Sequence, residues 1–326
     1  MKKWIVIKLT SLFMALFVLV GIMYALMYNN FFNGYNHGGG IFPTSYSDNN
    51  YCSSGSIYSE YNVFYYSYED DSYYNANPDE PYIVGDGLVD SGSIKEIYID
   101  WTVGDIDIVE TDDTAISIKE KCLSKSDDNK FRYRVVDNIL EIRYMNSGMS
   151  FLDNGEGKKL MLSLPKSKKG EFEVGTNGTK CNINIHNVTL SNLTAATTHG
   201  DLTVNNSNIY NLYYYAQEGN IYTNCSSNAI AVTLGQGTVD CTFDNSCKDI
   251  NLNVDNGKIT VRLPEDISGY LARVDFSKMD GGSVGFGSDF NDKEENGDYL
   301  HTRTYGDKFL NIYAEISNGR FDIKKR

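Results

Sequence analysis

Tyrosine is the residue type through which this chain is best equipped to meet another molecule. Tyr210, Tyr213, Tyr215 and Tyr222 crowd the stretch "HGDLTVNNSNIYNLYYYAQEGNIYT" (199–223). Each ring offers a broad apolar face and a polar tip, which suits glycans and protein surfaces. Strand propensity alone also enriches tyrosine, so the same residues have a purely structural reading. The residue types of catalysis do not gather in this way. His37, His186, His199 and His301 lie far apart, and no serine sits on a nucleophile elbow. A carbohydrate-active enzyme needs carboxylates converging on one face. Asp201 and Asp240 instead fall at different offsets of the repeat described below. An enzyme is therefore the least favoured reading, with no catalytic residue and no cofactor expected.

Metal and thiol chemistry are no better served. "SDFNDKEENGDY" (288–299) is acidic, but it lacks the glycine at loop position six that an EF-hand requires, and reads as a solvated loop. Cys52, Cys122, Cys181, Cys225, Cys241 and Cys247 are even in number and have no C-x-x-C spacing. Disulfides are possible outside the cytoplasm, and the general connectivity stays open. Cys225 and Cys247 reach the same corner region of successive repeats, which makes them a candidate pair. Cys241 falls in an inward column and reads as a small core residue.

The elements that would position these residues are set out by glycine. Gly200, Gly219, Gly237 and Gly257 follow one another at intervals of 19, 18 and 20 residues, and Cys181 takes the same place 19 residues before Gly200. Two residues after each marker stand Ile183, Leu202, Ile221, Val239 and Ile259. Seven before the next marker stand Leu193, Leu212, Ile230 and Ile250. Neighbouring apolar columns are two residues apart, as one face of a strand requires. Each unit is then two short strands, and stacking units about 4.8 Å apart lets each strand pair with its copy. The predicted fold is all-β: a β-helix-like solenoid with coils of about 19 residues, rather than a sandwich of hairpins. "VGDIDIVETDDTAISIKEK" (103–121) reads as an early coil and "FRYRVVDNILEIRYM" (131–145) as a hairpin excursion. "LMLSLPKSKKGEFEV" (160–174) matches "ITVRLPEDISGYLARV" (259–274), and "FLNIYAEISNGRFDIKK" (309–325) repeats the glycine pattern once more.

Those residues carry a resemblance. "IKEIYIDWTVGDIDIVE" (94–110), the recurring "GDLTV", "GNIYT" and "GKITV", the Leu-Pro strand ends and the closing "SNGRFDIK" resemble the bacterial putative adhesin family with β-strand repeats, domain of unknown function 4097. The resemblance spans about residues 91–326. It implies a β-helix-like stack, often behind one membrane anchor, and brings no catalytic residues with it.

The N-terminus suggests such an anchor. Lys2, Lys3 and Lys8 precede an apolar stretch from Leu9 to Tyr28, about the length that crosses a bilayer core as a helix. A cleaved signal peptide is the alternative, although no small-x-small site follows. Lysines ahead of the span place the N-terminus in the cytoplasm and the rest outside. The expected organisation is an anchor or signal (1–28), a Tyr/Asn/Ser/Gly-rich linker (29–90) and a β-solenoid domain (91–326). A formal charge of −14 excludes nucleic acid as the natural partner. The function expected is a membrane-anchored, non-enzymatic, adhesin-like binder of a cell-surface glycan or protein through Tyr210, Tyr213, Tyr215 and Tyr222. The alternative is an extracytoplasmic module of an envelope-stress system acting through a membrane protein partner.

Overall fold

The chain divides into two units, Met1–Tyr68 and Glu69–Arg326. The computed structural model describes residues 82–121, 130–144, 158–276, 286–296, 300–307 and 309–326, all in the second unit. The anchor expected at 1–28 and nearly all of the linker expected at 29–90 lie outside the described residues. Within them, no helix is long and apolar enough to cross a membrane.

The second unit is all-β, apart from a single 3-10 turn at Lys166–Lys168 among the described residues. Its strands form coils of two arms that pair in parallel with the coils on either side. In spatial order the coils are Glu96–Thr111, Glu173–His186, 189–205, 208–224, Ala229–Thr242, Asp249–Leu263 and Leu310–Lys325. We number them one to seven. Parallel register brings Ile97, Val174, Leu193, Leu212, Ile230, Ile250 and Ile312 into one inward column of the first arm, all of them buried. On the second arm Ile221, Val239, Ile259 and Phe321 form another. Each such aliphatic contributes about 1.5–3 kcal/mol on burial. The columns read from the glycine spacing are thus the columns of the core.

Glycine permits the bend between the arms for a steric reason. A Cβ at Gly219 would overlap the carbonyl oxygen of Gly200, one at Gly237 that of Gly219, one at Gly257 that of Gly237, and one at Gly319 that of Gly257. At these four positions the backbones approach too closely for a side chain.

The ends of the stack depart from the simplest repeat. The chain leaves coil one, makes an excursion over 112–172, and returns as coil two beside coil one. The excursion covers the outer edge of coil one: Ile139–Arg143 pairs in parallel with its first arm, and Lys158–Pro165 with its second. Residues 103–121 are therefore not one coil. They are the second arm of coil one followed by Ala115–Lys121, which pairs antiparallel with Lys158–Pro165. The 131–145 hairpin is present. Asp137 and Asn138 have φ of 49° and 68°, the paired left-handed residues of a tight primed turn.

The far end is built on the same plan. Coil seven slots against coil six, and the preceding excursion caps it through Gly269–Asp275, which in turn pairs with Leu300–Gly306. Both Leu-Pro segments end a second arm and turn the chain into the first arm of another layer. Folding also begins earlier than residue 91, because Ile83–Val84 and Gly87–Asp90 pair with Arg132–Val136 and Ala115–Lys121. Too few apolar residues precede 91 for its strands to stand out from the linker.

Gly219→Ala is expected to destabilise the domain by about 3 kcal/mol or more, since backbone must move on both coils. Gly92→Ala, where a Cβ meets nothing closer than 3.4 Å, should change stability by less than about 0.5 kcal/mol. Urea unfolding of the two variants checks both values.

Candidate functional site

Alternation along the first arm of coil four decides where its tyrosines point. Leu212 and Tyr214 are inward and fully buried, so Tyr213 and Tyr215 take the outward positions between and after them. Tyr214 crosses the interior to the glycine corner, where its hydroxyl donates to the Gly200 carbonyl at 2.6 Å. Burial, with the Asp201 and Cys181 charges adding to it, raises the Tyr214 phenol well above its usual value. That phenol is therefore neutral and serves as a donor.

Tyr213 stands between Thr194 of coil three and Ala231 of coil five, and Tyr215 between Ala196 and Thr233. The neighbours on both sides are small, and both tyrosines are half-buried on the outward face of the arm. Three coils further along, Tyr313 occupies the same column as Tyr213 and is exposed. At about 4.8 Å per coil the two lie about 14 Å apart. The sequence reading missed Tyr313 because its coil returns to the stack only after the excursion of 264–307.

The other two expected residues lie elsewhere. Tyr222 is exposed on the outer face of the second arm, past the glycine bend, and exposed Tyr210 sits ahead of the first arm at the other corner. Of the four, then, only Tyr213 and Tyr215 share an outward arm.

The second arm carries a polar ladder of its own that the sequence did not disclose. Asn182 donates to Asp105 at 3.1 Å and accepts from the Asp201 amide at 3.1 Å. Asp201 accepts from the Asn220 backbone amide at 2.8 Å and side-chain amide at 2.9 Å, and Asn220 accepts from Thr238 at 2.9 Å. Each side chain here satisfies the next coil, which marks the ladder as structural. Asp240 is held apart from it by a two-pronged ion pair with Arg262, both contacts at 2.8 Å.

Histidines and cysteines take separate places in the stack. His199 lies at the glycine bend, 3.7 Å from the Glu218 carboxylate, and His301 packs edge-on to Phe276. Cys181, Cys225, Cys241 and Cys247 are buried thiols. Burial pushes Cys225 and Cys247 up to about 12, so neither thiolate is populated at neutral pH. Cys241 occupies the inward column expected of it. Among the described residues no group of three or more His, Cys, Asp or Glu side chains could hold a metal ion. In the acidic stretch from 288, Asp292 is drawn inward, accepting from the Tyr270 hydroxyl at 2.7 Å and facing Arg303 at 3.6 Å. Over 288–296 this segment is part of the end cap, with Lys293–Asn296 paired to Leu300–Gly306; 297–299 lie outside the described residues.

The family to which these features belong is shown by its sequence profile, which matches residues 94–324. The chain is a member of the Toastrack family, domain of unknown function 4097. No curated protein matches the chain. Solved structures similar to it include a putative adhesin from Bacteroides fragilis, 16% identical over 76% of this chain and 99% of that one, with a TM-score of 0.38. A putative cell adhesion protein from Clostridium sporogenes is 14% identical over 76% of this chain and 100% of that one, at 0.35. A putative lipid binding protein from Parabacteroides distasonis is 14% identical over 77% and 98%, also at 0.35.

One carboxylate on the outer side of the Toastrack first arm has an altered charge. Asp100 occupies the same column as Tyr215, on coil one. Burial pushes its carboxyl up to about 6, with the nearby Arg143 charge offsetting part of the rise. The unfolded value is near 4, so ionisation favours the unfolded chain. This contribution to stability is present in full below pH 4 and is lost as pH rises through 6. Asp100→Asn should match the wild type at pH 4 and exceed its stability by roughly 1–3 kcal/mol at pH 7. Urea unfolding at the two pH values checks it.

Proposed function

We propose that this Toastrack protein is a non-enzymatic binding protein of the bacterial cell surface. It is held to the membrane by residues 1–28 with its N-terminus in the cytoplasm, and it engages a surface glycan or protein. The observation that carries the reading is the pair Tyr213 and Tyr215, side by side on an outward arm and flanked by small residues. Aromatic rings on an outward arm among small neighbours offer apolar area with little side-chain entropy to lose. The rigid stack behind them keeps the rings in place when a ligand arrives. Its acidic character keeps such a domain off anionic polymers, which directs the choice toward uncharged glycans and protein surfaces.

The test is binding of the full-length chain to peptidoglycan, purified surface polymers and a glycan panel, beside Tyr213→Ala/Tyr215→Ala. Saturable binding that weakens more than tenfold in the folded double variant, about 1.4 kcal/mol, is the expected result. Absence of binding to every one of these would move the reading to a membrane protein partner. Cys225 and Cys247 are free thiols in the structure, and an oxidising extracytoplasmic placement would let them pair as a disulfide. Cys247→Ser should then alter mobility on a non-reducing gel, and unchanged mobility would dismiss the pair.

A further inference from the structure

At the corner opposite in sequence to the glycine bend, where each second arm passes into the next coil, lies a groove of about 510 Å³. Its floor is made of side-chain amides and hydroxyls stacked coil on coil. Asn187 and Asn206 occupy equivalent positions of coils two and three, with backbone φ of 53° and 49°. Asparagine is one of the few residues other than glycine that adopts this conformation readily. The Asn187 amide donates to the Asn205 carbonyl, and the Val188 amide to the Ser207 hydroxyl at 3.3 Å. These bonds lock the corners together. Asn208 follows one step along, paired with Thr189.

Charge at the groove is of both signs. Glu110 accepts from the Thr189 amide at 2.7 Å and faces Lys169 at 3.4 Å, and Lys166 reaches Asp112 at 2.8 Å. At the other end Asp244 accepts from Ser226 and Ser246, and Arg326 donates to Asn224 at 3.2 Å. The protein's own partners already engage these ions. What the floor offers a ligand is mainly amide and hydroxyl groups, which donate and accept at once.

Sugar hydroxyls have the same double character, and the coil spacing of about 4.8 Å is close to the length of one sugar ring. We propose that this groove binds an uncharged linear saccharide chain laid along the stack, with Asn187, Asn206 and Asn208 as its hydrogen-bonding floor. The site is separate from Tyr213 and Tyr215 and goes beyond the binding surface proposed above. An anionic polymer would meet two lysines that already face carboxylates, together with the groove's own Glu110 and Asp244, in a molecule of net charge −14.

The test uses the full-length chain in a sugar-free detergent, with cellotetraose and the tetramer of N-acetylglucosamine as probes in ligand-observed NMR titrations. Asn187→Gly/Asn206→Gly removes two amides while keeping residues that accept positive φ, and Asn208→Ala is a second, independent variant. Saturable binding of either probe that weakens at least tenfold in the double-glycine variant and severalfold in Asn208→Ala, both folded by circular dichroism, is the expected result. That binding should persist in Tyr213→Ala/Tyr215→Ala, which separates this site from the tyrosine face. Binding of neither probe to the wild type would overturn the proposal. So would undiminished binding by the folded double-glycine variant.

Discussion

The stack depends on how closely two backbones can pass at one corner. Parallel strands repeat at about 4.8 Å, and a chain that bends between two such strands brings each coil's backbone onto the carbonyl of the coil before it. From Gly200 through Gly219, Gly237 and Gly257 to Gly319, the space where a Cβ would sit is filled by that oxygen. Removing the side chain at this column lets both arms keep their register through the bend. Only with register kept do the leucine, isoleucine and valine columns fall on one another, and the core follows from that alignment. Coil two shows the constraint from the other side. Cys181 occupies the marker position there, and Gly178 stands where a Cβ would lie 2.6 Å from the Cys181 Cβ and 2.9 Å from the Trp101 carbonyl. The space given up at one position is recovered three residues away.

A stack of parallel coils has two open ends, and each would expose unpaired strand edges to other chains. Both are covered by an excursion that carries buried ion pairing. Over coil one, Arg134 meets Glu141 at 2.7 Å and Lys158 meets Glu120 at 2.9 Å, all four largely removed from solvent. The Tyr82 hydroxyl also donates to Glu141 at 3.0 Å. Over coil seven, Arg303 and Asp292 sit beneath Tyr270, Phe290 and Tyr305, whose rings pack on one another. Buried pairs of this kind add little net stability against an apolar alternative. Their directional partners instead help set how a cap of short antiparallel strands lies on a parallel stack.

How much of this was legible follows from what each feature leaves in the sequence. Period and register left a glycine and paired apolar columns in every unit, so the five coils from Cys181 to Val261 could be aligned from spacing alone. The caps left no period. Ala115–Lys121 alternates much as a coil arm does, and only its antiparallel partner at Lys158–Pro165 distinguishes it. Coil seven repeats the motif, but its place beside coil six depends on a long-range pairing across 264–307 that no local pattern encodes. For the site, alternation sufficed to turn Tyr213 and Tyr215 outward and Tyr214 inward. Grouping Tyr222 and Tyr210 with them required knowing how the corners bend. The asparagine corner leaves no separate mark as a surface, because asparagine at a bend is accounted for by the turn itself, as with Asn187 and Asn206 at φ of 53° and 49°.

Inward and outward columns of the same coils meet different demands, and this bears on what kind of function the fold can carry. An inward position must match its copies in both neighbouring coils, so a change there propagates along the stack. An outward position must only tolerate its lateral neighbours, as Tyr213 does between Thr194 and Ala231. Outward residues on successive coils are thus set at a fixed spacing of about 4.8 Å, while their identities can change one by one. Such a surface matches ligands that are themselves extended and repetitive, whose contacts recur at short intervals along one direction. A reaction instead requires several groups converging on a single atom from different directions. On the second arm Asp201 points along the stack to the amides of Asn220 and Asp240 to the guanidinium of Arg262, each on the next coil, and both are spent on holding the coils together. The geometry that makes the stack cohere thus also sets its outward groups in rows along its length.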